Sequence, residues 1–284
     1  VSSLSVTDKQ VNIRNSSGWS YGAGSRVMVL QDGMPMLSGD AGQAQWTFIN
    51  TDNIQNIEVL KGASSLLYGS SALGGIVHIQ TALPSDTSLT RAQMYGGVYS
   101  KGPRQGLNWS NNPLYQQGLR LLDSRKLGKI DLVSSFQLIS DDGYRLGDHE
   151  DRIRAGVLSR YRYSDSGFLS LNAQWMVNRS SSFLLWESYD SAYLPLSGAF
   201  TANSSLRLLI DPKWVSYHKK GKQLLQGRYF RIRNDVQNDD QTDQSNGSHI
   251  FYGEYQYHHR FRSPGLKGIG GAVLQHTTSN SPLF

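Results

Sequence analysis

A strict alternation of apolar and polar residues, repeated over segments of about ten residues or more, limits the folds open to this chain more than any other pattern in it. One such segment places Leu169, Leu171, Ala173, Trp175 and Val177 between polar residues. Successive side chains of a β-strand point to opposite faces of the sheet. The segment therefore predicts a strand with one apolar face and one polar face.

Arginine fills the polar positions of a second alternating segment. Its apolar and aromatic members are Ile153, Ala155, Val157, Tyr161 and Tyr163, and they alternate with Arg152, Arg154, Arg160 and Arg162. Because arginine is costly in hydrocarbon, we expect this face to line a wet interior and the opposite face to meet lipid. A third segment sets Phe251, Tyr255 and Tyr257 against Glu254, Gln256, His258 and Arg260. Its tyrosines suit the aromatic girdle of a membrane barrel.

The connections between these segments alternate in length. Short turns fall near residues 127–128, 164–167, 219–222 and 263–266, and longer polar connections fall at 101–113, 141–150, 179–204 and 235–248. Membrane barrels pair short periplasmic turns with longer extracellular loops. A soluble β-sandwich also alternates along its strands but has no reason to lengthen every second connection. The pattern predicts about nine antiparallel barrel strands.

Composition narrows the function classes. With 38% hydrophobic residues and a mean hydropathy of −0.44, the chain has no apolar run near the roughly 18 to 20 residues of a transmembrane helix. It has no cysteine, which excludes disulfides, thiol chemistry and zinc–thiolate sites. The net charge of +6 is scattered singly rather than gathered in a basic stripe, so no nucleic-acid partner is predicted. The chain begins at Val1 without a signal peptide, and we interpret it as mature or truncated.

Residues 1–84 follow a different pattern, with short β-rich stretches such as 26–30 and 56–60 broken by glycine-rich turns. We predict a small mixed globular unit over residues 1–84 and barrel strands over 85–284. The boundary falls near Leu83-Pro84-Ser85-Asp86.

Four pieces of the first unit stand in a fixed order: Arg14, residues 27–35 (VMVLQDGMP), residues 57–62 (IEVLKG) and residues 67–79 (LYGSSALGGIVHI). In this order and spacing they closely resemble the plug domain of TonB-dependent outer-membrane receptors. The family's structural motif falls on Arg14, Asp32, Gly33, Pro35, Glu58, Lys61, Gly62, Tyr68, Gly69, Gly74 and Gly75. Independently of the resemblance, Asp32-Gly33 predicts a tight hairpin turn, and the glycines mark sharp turns or close backbone approaches.

The resemblance implies a mainly β fold: a small mixed plug domain followed by antiparallel transmembrane β-barrel strands, about nine of an expected 22 or so. It also implies the outer membrane of a Gram-negative bacterium, an external ligand, and import driven by the TonB–ExbB–ExbD complex. We expect the segment that contacts this complex to be missing before Val1, and the chain to be a fragment. Asn56 stands where plugs of this family carry an arginine that forms ion pairs between the plug and the barrel wall. Because Asn56 cannot ionise, we expect weaker ion pairing between the two.

Aromatic and thioether side chains in two plug stretches, residues 19–24 and 34–46, and in the connection 179–204 are candidates for ligand contact. The predicted contacts are Trp19, Tyr21, Met36, Trp46, Trp186 and Tyr189, with Tyr193 in the same connection. Ordinary packing is the alternative for the plug members.

The sequence predicts no metal site, no bound cofactor and no enzymatic activity. Asp235, Asp239, Asp240 and Asp243 lack the spacing of a calcium loop and are interpreted as a solvated acidic loop. His258 and His259 are neighbours on a strand and therefore point to opposite faces, and His249 stands apart. No nucleophile elbow or zinc-protease motif occurs.

The ligand stays open at this stage. A siderophore–iron complex or similar metal chelate comes first, because such ligands are frequent in the family that the chain resembles. The alternatives are a SusC-like importer of oligosaccharides or peptides and a non-functional truncated receptor. A barrel enzyme would need a Ser/His/acid set facing one rim, and an adhesin or a passive pore would not need a plug; the Asp32-Gly33 turn and residues 58–79 discriminate against both classes.

Overall fold

The computed structural model describes residues 4–7, 10–13, 27–40, 42–62, 72, 74–239, 243–261 and 265–282. The chain divides into two compact units. The first unit comprises Val1–Leu83 and Gln275–Thr278, and the second comprises Pro84–Leu274 and Ser279–Phe284. The strands of the first unit are β1 (Leu4–Thr7), β2 (Gln10–Ile13), β3 (Val27–Gln31), β4 (Met34–Pro35), β5 (Ile54–Lys61) and β6 (Gly75–Thr81). Within the described residues, no helix is long and apolar enough to cross a membrane.

The first unit is built on a mixed four-stranded sheet in the order β4-β3-β6-β5. Strands β3 and β6 run parallel, and both are nearly continuous apolar runs because both of their faces are buried. Met28, Leu30 and Ile76 are core residues that cluster with Ala72, and Leu37 packs against them. A separate two-stranded hairpin joins β1 and β2.

Asp32 and Gly33 form the predicted hairpin turn between β3 and β4. Their φ angles are 54° and 90°, the left-handed backbone that a two-residue hairpin needs. The Asp32 carboxylate accepts hydrogen bonds from the Thr81 backbone N–H at 2.9 Å and from the Thr81 hydroxyl at 2.9 and 3.0 Å. The turn residue therefore also holds the end of β6.

The second unit is one antiparallel sheet of nine strands within the described residues, in the order β15-β14-β13-β12-β11-β10-β9-β8-β7. The strands are β7 (Leu89–Val98), β8 (Tyr115–Leu127), β9 (Ile130–Asp141), β10 (His149–Ser164), β11 (Gly167–Phe183), β12 (Phe200–His218), β13 (Gly221–Asn238), β14 (Asn246–Arg260) and β15 (Lys267–Asn280). Every strand is hydrogen-bonded to its sequence neighbour, and short and long connections alternate. The strand number and antiparallel order predicted from the alternation are confirmed.

The polarity of this sheet is the reverse of that in a soluble protein. On β11, Leu169 and Leu171 are 48% and 46% exposed, whereas Asn172 and Gln174 between the apolar positions are each 6% exposed. The same reversal on β10 exposes Ile153 and Val157 and buries Arg154. An exposed apolar face opposite a polar one is the surface that a barrel strand presents to lipid.

Charges on the polar face are paired across strands. Asp211 of β12 and Arg228 of β13 make two contacts of 2.9 and 2.6 Å and are almost fully buried. Asp131 of β9 accepts from both Arg160 and Arg162 of β10. The prediction that the arginines share one face, away from the exposed apolar residues, is confirmed.

The strands reach further than the alternation predicted. Strands β11 and β12 stay paired up to Phe183 and Phe200, so their connection is residues 184–199 rather than 179–204. Likewise β13 continues to Asn238 and β14 begins at Asn246, so Asp235 lies in a strand. The polar ends of these strands pair through their backbones, which needs no apolar side chain.

Candidate functional site

The long connections of the nine-stranded sheet provide the candidate site, because in an antiparallel meander every second connection leaves the same end. Three of them interlock: residues 99–114, 142–148 and 184–199, which we call the loop cluster. In membrane barrels the longer loops face the cell exterior. By this rule the loop cluster lies at the exterior end of the sheet.

A cleft of about 250 Å³ opens within the loop cluster. Its aromatic and apolar wall is formed by Tyr99, Leu107, Trp109, Tyr144 and Tyr193, and polar residues of the segment 100–112 complete it. Ligand sites are concave, with apolar and aromatic walls and a few fixed polar groups. The cleft has this composition, although it is smaller than a typical drug-sized pocket.

The aromatic wall is held by contacts between connections. The rings of Tyr144 and Tyr193 meet edge to face with centroids 5.1 Å apart, and Tyr99 and Tyr144 lie at 6.2 Å. The Trp109 indole N–H donates to the Tyr144 carbonyl at 3.0 Å. Leu146 N–H also donates to the Tyr193 carbonyl at 2.9 Å. The wall is thus preorganised rather than dependent on a ligand for its order.

Tyr99 is fixed by its hydroxyl, which donates to the Asp141 carboxylate at 2.9 and 3.1 Å. Burial raises the pKa of the Tyr99 phenol to about 12, and the hydrogen bond to Asp141 and its charge act in the same direction. The phenol is therefore a neutral donor at any physiological pH. It positions the base of the cleft beside the end of β9.

Arg104 ties the first long connection to the third. Its guanidinium lies 4.1 Å from the Tyr189 ring centroid, donates to the Tyr189 carbonyl at 3.0 Å and is 3.7 Å from the Asp190 carboxylate. Gly106 lies so close that a Cβ there would stand 2.6 Å from the Asp190 carbonyl oxygen. Only glycine lets the two backbones approach at this point.

The second connection is stiffened by Arg145. Its guanidinium pairs with Asp148 at 2.6 and 2.9 Å, donates to the Phe183 carbonyl at 3.2 Å and lies 4.2 Å from the Phe183 ring centroid. Gly143 and Gly147 have φ angles of 69° and 77°, which a side chain would strain. The loop cluster therefore has cations at Arg104 and Arg145 beside an aromatic cleft.

The predicted contact residues occupy different environments. Tyr189 is 78% exposed, and its ring contacts the Arg104 guanidinium. Trp186 is 57% exposed, and its backbone forms an isolated β-bridge with Pro195. In the first unit Met36 is fully buried and Trp46 is half-buried at the start of a short 3-10 helix. Trp19, Tyr21, Arg14, Tyr68 and Gly69 lie outside the described residues.

Sequence reasoning missed the cleft itself. Tyr99 and Trp109 lie in the first long connection, Tyr144 in the second and Tyr193 in the third. These residues are far apart in sequence and converge only because of the strand order. The available signal was the recurrence of aromatic residues in successive long connections. Since these connections share one end of a meander, their aromatic residues are neighbours in space.

The remaining plug-motif residues have structural contacts within the first unit. Glu58 on β5 faces His78 on β6, with 3.9 Å between carboxylate and imidazole, and accepts from Asn56 at 3.1 Å. Gly62 and Gly75 have φ angles of 115° and 142°, a backbone conformation that favours glycine. Pro35 lies in β4, Lys61 ends β5, and Gly74 directly precedes β6.

The acidic and histidine candidates are separated. Among the described residues, no group of three or more His, Asp or Glu side chains could hold a metal ion. Asp235 pairs with Arg233. Hydrogen bonds from the side chain and the backbone N–H of Ser245 lower the pKa of the Asp243 carboxyl. Asp239 follows β13, and Asp240 lies outside the described residues. His249 contacts the Tyr229 hydroxyl, while His258 contacts Gln256 and His259 contacts Tyr257.

Residues 2–76 match the family model for the TonB-dependent Receptor Plug Domain. A vitamin B12 transporter of Vibrio vulnificus is 30% identical over 122 residues, 43% of this chain and 18% of that protein. The pesticin receptor of Yersinia pestis is 39% identical over 75 residues, 26% of this chain and 10% of that protein. The aligned stretches thus cover less than a fifth of the length of these relatives.

Solved structures extend the likeness beyond the plug. The ferric citrate transporter FecA in the unliganded form has a TM-score of 0.73 at 15% identity, over 100% of this chain and 45% of that one. The siderophore receptor PirA from Pseudomonas aeruginosa has a TM-score of 0.69 at 15% identity, over 98% and 44%. At this identity the likeness concerns the fold, a plug followed by barrel strands. The chain belongs to the TonB-dependent outer-membrane receptors, of which it contains the plug domain and part of the β-barrel.

Proposed function

We propose that the protein containing this chain imports an external ligand by energy-coupled movement of the plug, and that the loop cluster makes the first contact with that ligand. The observation that carries the proposal is the aromatic cleft, with its wall fixed by contacts among three connections. Trp186 and Tyr189 extend this aromatic surface toward solvent. Trp19, Tyr21 and Trp46 are proposed separately as ligand contacts on the plug, whereas Met36 is fully buried and is left out of the proposed set.

The proposed ligand is a siderophore–iron complex or a similar metal chelate. Such chelates often carry flat unsaturated groups, which suit the aromatic rings of the cleft, and are often anionic, which suits the guanidinium of the partly exposed Arg104. The names of the structurally similar siderophore and ferric citrate proteins support the same ligand class. The plug is proposed to span residues 1–84, with the TonB–ExbB–ExbD complex as its energy-coupling partner.

The first experiment measures binding of ferric catecholate, ferric hydroxamate, ferric citrate, haemin and cobalamin to the full-length protein in detergent by calorimetry. Tyr144→Ala removes the centre of the aromatic wall and is expected to weaken the preferred chelate about tenfold, or about 1.4 kcal/mol. Tyr161→Ala is the matched control, because Tyr161 is an exposed aromatic residue on the outer face of the sheet. Equal losses in both variants, or no chelate bound, would contradict the proposal.

An oligosaccharide importer is the second candidate. The exposed rings of Trp186 and Tyr189 are the observation that favours it, since sugars stack on exposed aromatic faces. Oligosaccharides in the same calorimetric panel decide between the two. Binding of a glycan with no chelate bound would replace the first candidate by the second.

The energy-coupled step is tested separately by uptake. Cells that depend on this receptor for the ligand found above are expected to lose growth on it when TonB is deleted. Uptake that persists without TonB would show a passive route and remove the energy-coupled mechanism.

A further inference from the structure

The opposite end of the nine-stranded sheet has a pocket of about 390 Å³ beside the turns that follow β12 and β14. Four cationic side chains line it: Lys219, Lys222, Arg260 and Lys267. His218, His258 and His259 stand among them. This group, which we call the cationic pocket, plays no part in the loop cluster.

Among the described residues, no carboxylate pairs with these charges. None of the residues that line the cationic pocket is Asp or Glu, and within the described part of the chain no ion pair reaches any of its four cations. Like charges held together at the edge of a membrane repel unless an anion joins them. The electrostatics of the pocket therefore favour an anionic occupant.

An aromatic groove of about 490 Å³ adjoins the cationic pocket and shares His259, Gly268 and Ile269 with it. Its other walls are Tyr257, Phe261 and Gly270. Tyr257 lies on the same face of β14 as the exposed Phe251 and Tyr255, since the positions differ by even numbers. The groove thus opens on the apolar face that meets lipid.

The groove is structured by ring contacts. Tyr257 stacks on His218 with centroids 5.7 Å apart and contacts the His259 imidazole through its hydroxyl at 3.2 Å. His259 in turn meets Phe261 edge to face at 4.7 Å. Glycine at positions 268 and 270 of β15 leaves these two positions of the opposite wall without side chains. The aromatic groove and the cationic pocket together form an elongated site that is apolar along the groove and cationic at one end.

We propose that this combined site binds an anionic phospholipid of the inner leaflet, with its phosphate in the cationic pocket and an acyl chain in the aromatic groove. Short barrel turns face the periplasm, which places the site at the inner leaflet of the outer membrane. Basic groups at a membrane boundary attract anionic headgroups. The proposal goes beyond ligand import and does not depend on which ligand is carried.

The test counts phospholipids retained by the full-length protein in native mass spectrometry, with phosphatidylglycerol or phosphatidylcholine supplied. Lys219→Gln with Lys222→Gln is expected to reduce retained phosphatidylglycerol at least fivefold. The control, Lys126→Gln with Lys129→Gln, removes the same charge beside the short turn between β8 and β9 and is expected to leave the retained phosphatidylglycerol unchanged. Equal effects of the two variants, or equal retention of the zwitterionic lipid, would overturn the proposal.

A second variant separates a lipid from a free anion. A Cβ at Gly270 meets nothing within 4 Å, so Gly270→Leu fits the backbone and fills the groove. It is expected to reduce retained phosphatidylglycerol while binding of inorganic phosphate, measured by calorimetry, is unchanged. Full retention of phosphatidylglycerol in Gly270→Leu would overturn the acyl-chain assignment and leave a phosphate site only.

Discussion

Asp211 and Arg228 show how single residues on the polar face of the barrel sheet are stabilised. Their side chains are 3% and 1% exposed, and the contact between them has two short hydrogen bonds. A buried pair of this kind contributes little over two apolar residues, but removing one partner leaves a buried charge unpaired. The partners stand 17 residues apart on two strands, so no local sequence pattern identifies them as a pair.

Arg228→Met is expected to destabilise the protein by about 3–5 kcal/mol, because the carboxylate of Asp211 then stays buried without the guanidinium charge of Arg228. Asp211→Leu combined with Arg228→Met should recover most of that loss. Arg233→Met on the same strand is the control, since the Arg233–Asp235 pair is 59% and 46% exposed and should contribute about 1 kcal/mol or less. Urea unfolding in detergent measures all three, and a double variant no better than Arg228→Met would contradict the account.

Asp32 has one structural role that the sequence predicts and another that it does not. The Asp32-Gly33 turn was predicted because turn chemistry is local, whereas its hydrogen bonds to Thr81, 49 residues away, appear only in the fold. The sequence therefore indicates the turn but not what the turn holds.

Asp32→Ala should speed hydrogen exchange at the Thr81 amide. The variant loses charge-assisted hydrogen bonds of about 1.5–3 kcal/mol and places alanine at a φ of 54°. Asp32→Asn keeps an accepting oxygen and tolerates the same backbone, so it should exchange nearly as slowly as the natural protein. The assignment fails if the two variants exchange alike.

At the scale of elements, the strands were predictable only where their two faces meet different surroundings. The alternation is clear on β10 and β11 because one face is exposed and apolar while the other is polar. It disappears at the polar ends of β11 and β12, residues 179–183 and 200–205, although the strands remain paired there. Beyond the lipid both faces meet water, so periodicity carries no signal and the connection was predicted too long.

The loop cluster is a second element-scale feature, and Tyr99 gives it a measurable pH response. Because the pKa of the phenol is raised from 10.0 to about 12, the folded state favours the neutral form. The resulting stabilisation is fully present below pH 10 and is lost as the pH rises through about 12. Absorbance titration should show one late-ionising tyrosine that is missing in Tyr99→Phe. An unchanged titration curve in Tyr99→Phe would show that this phenol is not the shifted one.

At the scale of the whole molecule, the order of the two parts followed from a change in pattern. Short apolar strands with glycine turns gave way to long alternating strands, and both kinds of sheet are present. The aromatic cleft was not predictable, because Tyr99, Tyr144 and Tyr193 meet only once the meander brings alternate connections to one end. The cationic pocket was not predictable from the sequence either, because its lysines come from separate strands and turns.

The central claim is that the apolar face of the nine-stranded sheet meets lipid and the polar face does not. The 284 residues contain no cysteine, so single cysteines can be placed along β11 and spin-labelled without background from this part of the protein. In lipid vesicles, collisions with oxygen should be frequent at positions 169, 171, 173 and 175 and infrequent at 170, 172 and 174. A water-soluble nickel reagent should meet none of the first set. Uniform accessibility along the strand, or nickel contact at the apolar positions, would contradict a membrane-spanning barrel.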